Sequence, residues 1–322
     1  MLKEASSRPR AEVTRVICAS VSRVAGSVMD EMFKIRNQNC KSGSAPPVRG
    51  ALLYSSGWFV LWLEGQDGDV EALVRKAALD PRNSHQKLIH RSRGAASLTE
   101  PLTVVTTQGA GGSGDFGRRI YHFKEQVKQG IDHEPIAIWQ QLSAPCLATH
   151  EHGRGPDRQI ALVAAENNGP IELLSKLGER FGSQVVYQRF ASGRSHSSDV
   201  GVAYVDMVAT RRISRVQLVS RRALAHRMVR QALVGLDGLV LLLGREPSAG
   251  TNLATAVAAC LQTLPARPAI YLVSASDEIA QGVGELLRKG VTNGSTPVQP
   301  MQLQQAQLSD FLLGRKLRGA VN

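Results

Sequence analysis

The sequence predicts two domains: an α+β sandwich, then an α/β domain whose sheet carries helices on both faces. Three observations predict this. The chain has 322 residues, more than one ordinary core accommodates, which favours two domains of roughly 100–200 residues each. Its first third contains two apolar runs joined by Ser55-Ser56-Gly57, the mark of an antiparallel hairpin. From residue 157 onward, apolar strands and amphipathic helices alternate, as in a sheet covered on both sides.

The first domain is expected over residues 11–107. Val13–Ala19 (VTRVICA) reads as a strand, and Val24–Phe33 as a helix with Val24, Val28, Met29 and Met32 on one side. Asn37–Pro47 is a loop. Gly50–Tyr54 and Trp58–Leu63 are the hairpin strands. A helix follows at Val70–Ala78, opened by Asp67-Gly68-Asp69, where a carboxylate can cap free backbone N–H groups. Asp80-Pro81-Arg82 closes it, because proline cannot continue a helix. Strands near Lys87–His90 and at Leu102–Thr106 complete the sandwich.

Residues 108–156 read as an ordered connector. They open on QGAGGSG (Gln108–Gly114) and close on HEHGRG (His150–Gly155), both turn-forming. Between them Tyr121, Phe123, Val127, Trp139 and Leu142 supply apolar anchors.

The second domain is expected over 157–318. Strand Arg158–Ala165 leads through Asn167-Asn168-Gly169 into helix Pro170–Phe181, with proline at a first helical position where its missing N–H costs nothing. Ser183–Phe190 is strand-like, and Val200–Val208 with Ile213–Val219 form a hairpin. Helix Arg222–Val234, strand Asp237–Gly244, helix Thr251–Thr263, strand Ala269–Ser274 and helix Asp277–Lys289 follow. A short strand near Val298–Leu303 and a helix Gln305–Leu313 end the order.

Composition narrows the class. Apolar residues make up 43% and charged residues 20%, which suits a globular protein and excludes global disorder. No apolar run is long enough for a membrane span. Met1–Arg10 is polar and is not followed by a leader-type apolar segment, so a cytoplasmic location is expected. The 4 cysteines lie far apart with no CxxC pair, which argues against a zinc cluster. The net charge of +12 is spread over both halves without a polybasic tail. With no recognition-helix or RNA-binding aromatic signature, it supports only weak, nonspecific nucleic-acid binding.

The run RGALLYSSGWFVLWLEG (Arg49–Gly65), the following helix, DPRNSHQKL (Asp80–Leu88) and the first strand RVICAS (Arg15–Ser20) resemble the BLUF domain, the flavin-binding blue-light sensor. The resemblance spans residue 13 to about 107 and implies a ferredoxin-like α+β sandwich. In that family a tyrosine on the first strand and a glutamine on the third rearrange hydrogen bonds to the excited flavin. Here those positions read Cys18 and Leu61. Leucine has no donor or acceptor, and a thiol is a weak donor. The flavin-contacting asparagine has its counterpart in Asn39 or Asn37. The expectation is a BLUF fold without photocycle or flavin, with Cys18 and Leu61 serving as core.

The order from residue 157 on is similar to the Ras-like GTPase fold of the P-loop class, which tests it at its motifs. GxxxxGK[ST] wraps and neutralises phosphates and holds magnesium. The matching window Ala164–Ile171 keeps Gly169, but Ala164 replaces the first glycine, Pro170 the lysine and Ile171 the hydroxyl residue. The metal-binding DxxG becomes Ser220-Arg221-Arg222-Ala223, and the guanine-reading NKxD keeps only Asp277, which is expected to cap its helix. The resemblance therefore implies a pseudo-GTPase, since magnesium and positioned cations supply most of the catalysis in that class.

Other constellations add little. Arg221, Arg222, Arg227 and Arg230 could meet an anion or form a solvated basic face. His150 and His152 sit beside glycines, His196 lies in a serine-rich loop without an elbow, and DFG (Asp115–Gly117) lacks every other kinase element. Asp132 and Glu134 have no identifiable partner in the sequence. The expected function is a non-enzymatic regulatory or scaffolding protein without cofactor or metal, working through protein partners as a homo-oligomer. The alternatives are a nucleotide-binding signalling GTPase or ATPase with atypical motifs, or a basic nucleic-acid-binding protein.

Overall fold

A computed structural model describes residues 12–39, 47–108, 112–144, 156–165, 170–192, 200–209, 212–264, 266–290 and 300–312. The chain divides into two compact units, Met1–Cys146 with Phe190–Asp199, and Leu147–Arg189 with Val200–Asn322.

In the first unit, β1 (Glu12–Ser22), α1 (Val28–Asn39), β2 (Val48–Ser55), β3 (Trp58–Gly65), α2 (Asp67–Ala78), β4 (Asn83–Ala95) and β5 (Leu102–Gln108) build the sandwich. Their order in the sheet is β5-β2-β3-β1-β4. β2 and β5 run parallel; every other neighbouring pair is antiparallel. One sheet face packs Val16, Leu52, Phe59, Leu63 and Val104 against apolar residues of α1 and α2. The Leu-Glu-Gly at the end of β3 has a structural explanation. Buried Glu64 accepts the Ser97 and Leu98 N–H groups at 2.6 and 2.7 Å, and a Cβ at Gly65 would stand 2.8 Å from the Pro47 carbonyl oxygen.

Three local expectations change. The first helix begins at Val28, four residues later than the apolar spacing suggested, because the Ser27 hydroxyl accepts the Asp30 N–H at 3.3 Å and caps it. Asp67 and Asp69 do not cap α2: the cap position is Gln66, without a side-chain bond, and Asp67 accepts from the Thr14 hydroxyl at 2.9 Å. The stretch read as a connector holds two helices, α3 (Ser113–Lys128) and α4 (Pro135–Ser143), within the first unit. Trp62 meets Trp139 of α4 at 5.9 Å between ring centroids, and the Trp58 indole donates to the Ser113 carbonyl at 3.1 Å.

The second unit contains β6 (Arg158–Ala164), α5 (Pro170–Phe181), residues 186–189 of β7 (Val186–Ser192), β8 (Val200–Ala209), β9 (Arg212–Val219), α6 (Arg227–Ala232), β10 (Gly238–Leu242), α7 (Pro247–Leu261), β11 (Ala269–Val273), α8 (Asp277–Gly290), β12 (Met301–Gln302) and α9 (Gln305–Leu312). Strand order is β12-β11-β10-β6-β9-β8-β7. β8 is antiparallel to β9, while β9, β6, β10, β11 and β12 pair in parallel. Ile160, Leu162, Val205 and Val240 pack with Leu174 and Leu177 of α5 and Phe311 of α9. Buried residues of α7 and α8, among them Leu253, Val257, Val283 and Leu287, supply a further apolar layer. Asp206 and Arg215 are cross-strand partners on β8 and β9 and form two hydrogen bonds of 2.7 Å, both residues buried.

The expected helix Arg222–Val234 is two pieces. A 3₁₀ turn, Arg221–Ala225, ends at His226, which is extended (φ −80°, ψ 121°) and begins α6. α7 starts four residues earlier than expected, on Pro247 at its first position. Among the described residues no helix is long and apolar enough to cross a membrane, and no cluster of metal-ligating side chains is found.

Candidate functional site

Cys18 on β1 and Leu61 on β3 are direct cross-strand neighbours, and Leu61 faces Leu52 on β2. Alternation puts both on the α1–α2 side of the sheet. Cys18 packs with Val16, Leu63 and Val70; Leu61 packs against both apolar clusters of that face. Burial pushes the Cys18 thiol up to about 11, although a hydrogen bond with Gln86 pulls the other way. The thiol is therefore protonated at neutral pH and a poor nucleophile. Asn39 is the last residue of α1, and its side chain lies outside the described residues; the Asn37 amide oxygen accepts from Arg36 at 3.2 and 3.3 Å.

Gln86 is the polar residue of this site that sequence reasoning missed. Its amide donates to the Val74 carbonyl at 3.3 Å. The neighbouring His85 has φ 55°, and the β1–β4 register shifts between Ala19 and Val21. This bulge breaks the alternation that would have marked Gln86.

Beside the start of α1 lies a groove of about 470 Å³, lined by Arg23, Ser27, Asp30, Glu31, Lys34 and Arg82 among others. Its charges are largely spent on one another. Lys34 pairs with Glu31 at 2.6 Å, and Arg82 with Asp80 at 2.5 Å and Glu31 at 3.6 Å. The Arg82 hydrogen bonds hold Asp80 below the usual carboxylate range. Asp80-Pro81-Arg82 is thus a self-paired turn.

Asp132 and Glu134 gain partners that the sequence did not reveal. Glu134 accepts from the buried Arg15 at 2.7 Å, and Arg15 also donates to the Ser92 hydroxyl at 3.0 Å. A Cβ at Gly94 would stand 2.7 Å from the Arg15 guanidinium carbon, so a side chain there would make the guanidinium shift. Buried His90 lies 2.7 Å from the same hydroxyl and 3.8 Å from Asp132. Burial, aided by the Arg15 charge, lowers its pKa against the opposing pull of Asp132.

In the second unit the structure brings together Ala164, Ile171 and Ser220 but not Asp277. The three border one cavity of about 260 Å³, with Gly201, Leu218 and Arg221 among its other lining residues. Asp277 accepts from Gln302 at 2.6 Å, and the helix it was expected to cap has the Ser276 hydroxyl accepting the Ile279 N–H at 3.4 Å instead. Gly169, His150, His152 and His196 lie outside the described residues, as does the Pro170 side chain.

Residues 13–97 match the family model for BLUF, sensors of blue-light using FAD. The first unit therefore carries a BLUF domain. No curated protein matches the chain. Solved structures similar to it include the dark state of the BLUF protein BlrB, at 22% identity, 30% coverage of this chain, 73% of that one and a TM-score of 0.25. The BLUF structure of BlrP1 is 17% identical, covering 46% of this chain and 98% of that one with a TM-score of 0.29. A bacterial light-regulated adenylyl cyclase is 13% identical, covering 69% and 84% with a TM-score of 0.28.

FAD is the group that the family description implies. The two residues that the sequence resemblance sets at the switch do not fit a hydrogen-bond exchange with it, because Leu61 offers a hydrocarbon and Cys18 a buried, protonated thiol packed among apolar side chains.

Proposed function

We propose that the chain is a non-enzymatic regulatory or scaffolding protein whose BLUF domain works without a light switch and whose second unit is a Ras-like pseudo-GTPase domain. The observation that carries the reading is the Cys18–Leu61 pair, adjacent in register on the helix-covered face and embedded in aliphatic side chains. Two positions that would have to trade hydrogen bonds with a flavin are engaged in packing.

For the second unit, the order β8-β9-β6-β10-β11-β12 with β8 alone reversed supports a Ras-like reading. Pro170, Ile171 and Ser220 stand where phosphate and magnesium chemistry needs lysine, a hydroxyl and a carboxylate. Both units then act as surfaces for protein partners, a second copy included, since a fold can outlast its chemistry. Calorimetry on the full chain with FAD, magnesium–GTP and magnesium–ATP tests this. No saturable heat is expected from any of them. Micromolar binding of a nucleotide would favour the alternative of an atypical nucleotide-binding signalling protein. Light scattering across salt concentrations, with and without duplex DNA, separates a packed homo-oligomer from phosphate-driven binding, which weakens steeply with salt.

A further inference from the structure

We propose that the cavity at the carboxyl ends of β6 and β9 binds a small monocarboxylate with an apolar body. Open α/β sheets take ligands beyond the carboxyl ends of their parallel strands, and β6 and β9 are such neighbours. Because β8 runs antiparallel to β9, with Val202 opposite Val219, the start of β8 meets the end of β9 at the same place. The resulting space measures about 260 Å³ and is walled mainly by Ile171, Val202, Ala203, Leu218 and Val219. That is slightly below the roughly 300–1,000 Å³ of drug-sized sites, so the ligand is small.

Among the described residues one cation, Arg221, borders this space. Arg221 opens the 3₁₀ turn after β9, and among the described residues its guanidinium has no ion pair or hydrogen bond. Ser220 beside it is already used, its hydroxyl oxygen accepting the Ala223 N–H at 3.3 Å. Among the described residues no acidic side chain lines the cavity. A lone guanidinium matches a carboxylate through two parallel hydrogen bonds, while the aliphatic wall takes the remaining carbon skeleton. A phosphate would bring a second charge and a hydration shell that one arginine cannot replace.

The test titrates the full chain with octanoate, octanol and inorganic phosphate, followed by calorimetry and thermal unfolding. Octanoate is expected to bind saturably and raise Tm, and Arg221→Gln to weaken it about tenfold or more while leaving any octanol binding unchanged. Gly201→Leu is expected to abolish octanoate binding by filling the space, since a Cβ there meets only the Gln188 carbonyl oxygen, at 3.8 Å. Ile171→Trp, at a partly exposed helix position, fills it independently should the first variant fold poorly. Equal binding of octanol and octanoate, unchanged affinity in Arg221→Gln, competition by phosphate, or no saturable binding would each overturn the proposal.

Discussion

The two places where this chain resembles a ligand site are built in opposite ways. Cys18 and Leu61 are packed among Val16, Leu63 and Val70. Ala164, Ile171 and Ser220 border open space of about 260 Å³. Neither place carries the donors that its sequence resemblance would call for, yet only the first has its key positions packed into a core. The difference teaches that absence of chemistry and absence of room are separate properties. A fold whose catalytic groups are missing can still hold a cavity fit for another ligand.

The largest expected effect concerns the strands that wall the open site. Asp206→Ala removes half of a buried ion pair and leaves Arg215 charged and desolvated, at an expected cost of about 3–5 kcal/mol in urea unfolding. A cost below about 1 kcal/mol would mean that β8 and β9 are not held as described.

The comparison itself is broken or sharpened by placing the same polar group at each site. Leu61→Gln puts an amide among aliphatic side chains and is expected to destabilise by about 1–3 kcal/mol. Ile171→Gln, at an exposed position on the cavity rim, should change stability by about 0.5 kcal/mol or less. Equal costs from denaturant midpoints would erase the distinction between filled and open.

A smaller effect tests the polar network beside α4. His90 is lowered from its ordinary value of 6.5 by burial. Below that value the unfolded chain binds more protons than the folded one, so stability should fall as pH drops from about 6.5 toward the lowered folded value, then level off. Urea midpoints at closely spaced pH values should show this loss in the wild type. His90→Gln should flatten that part of the curve, and an unchanged slope would assign the dependence to other groups.

How much of this was legible follows from what each residue contacts. The hairpin and the alternating second unit rest on local apolar pattern and were readable, whereas the register that sets Cys18 opposite Leu61 is a pairing between distant strands and was not. Short-range capping was harder: Ser27 and Pro247 start helices at residues where apolar spacing gives no signal. Partnerships across the chain left no trace at all. Glu134 finds Arg15 119 positions away, and Asp277 finds Gln302 25 away, so neither could be inferred from neighbours. Gln86 was hidden by a bulge, and the break at His226 by a basic, amphipathic run that reads as one helix.

The central claim is that the Cys18–Leu61 pair gives this BLUF domain no light switch. It is tested most directly by the absorption difference spectrum of the full chain, purified and then incubated with FAD, before and after blue light. The account predicts no reversible change, and predicts the same for Leu61→Gln alone, since Cys18 still offers only a buried thiol. A flavin spectrum that shifts to the red under blue light and recovers in the dark would contradict it.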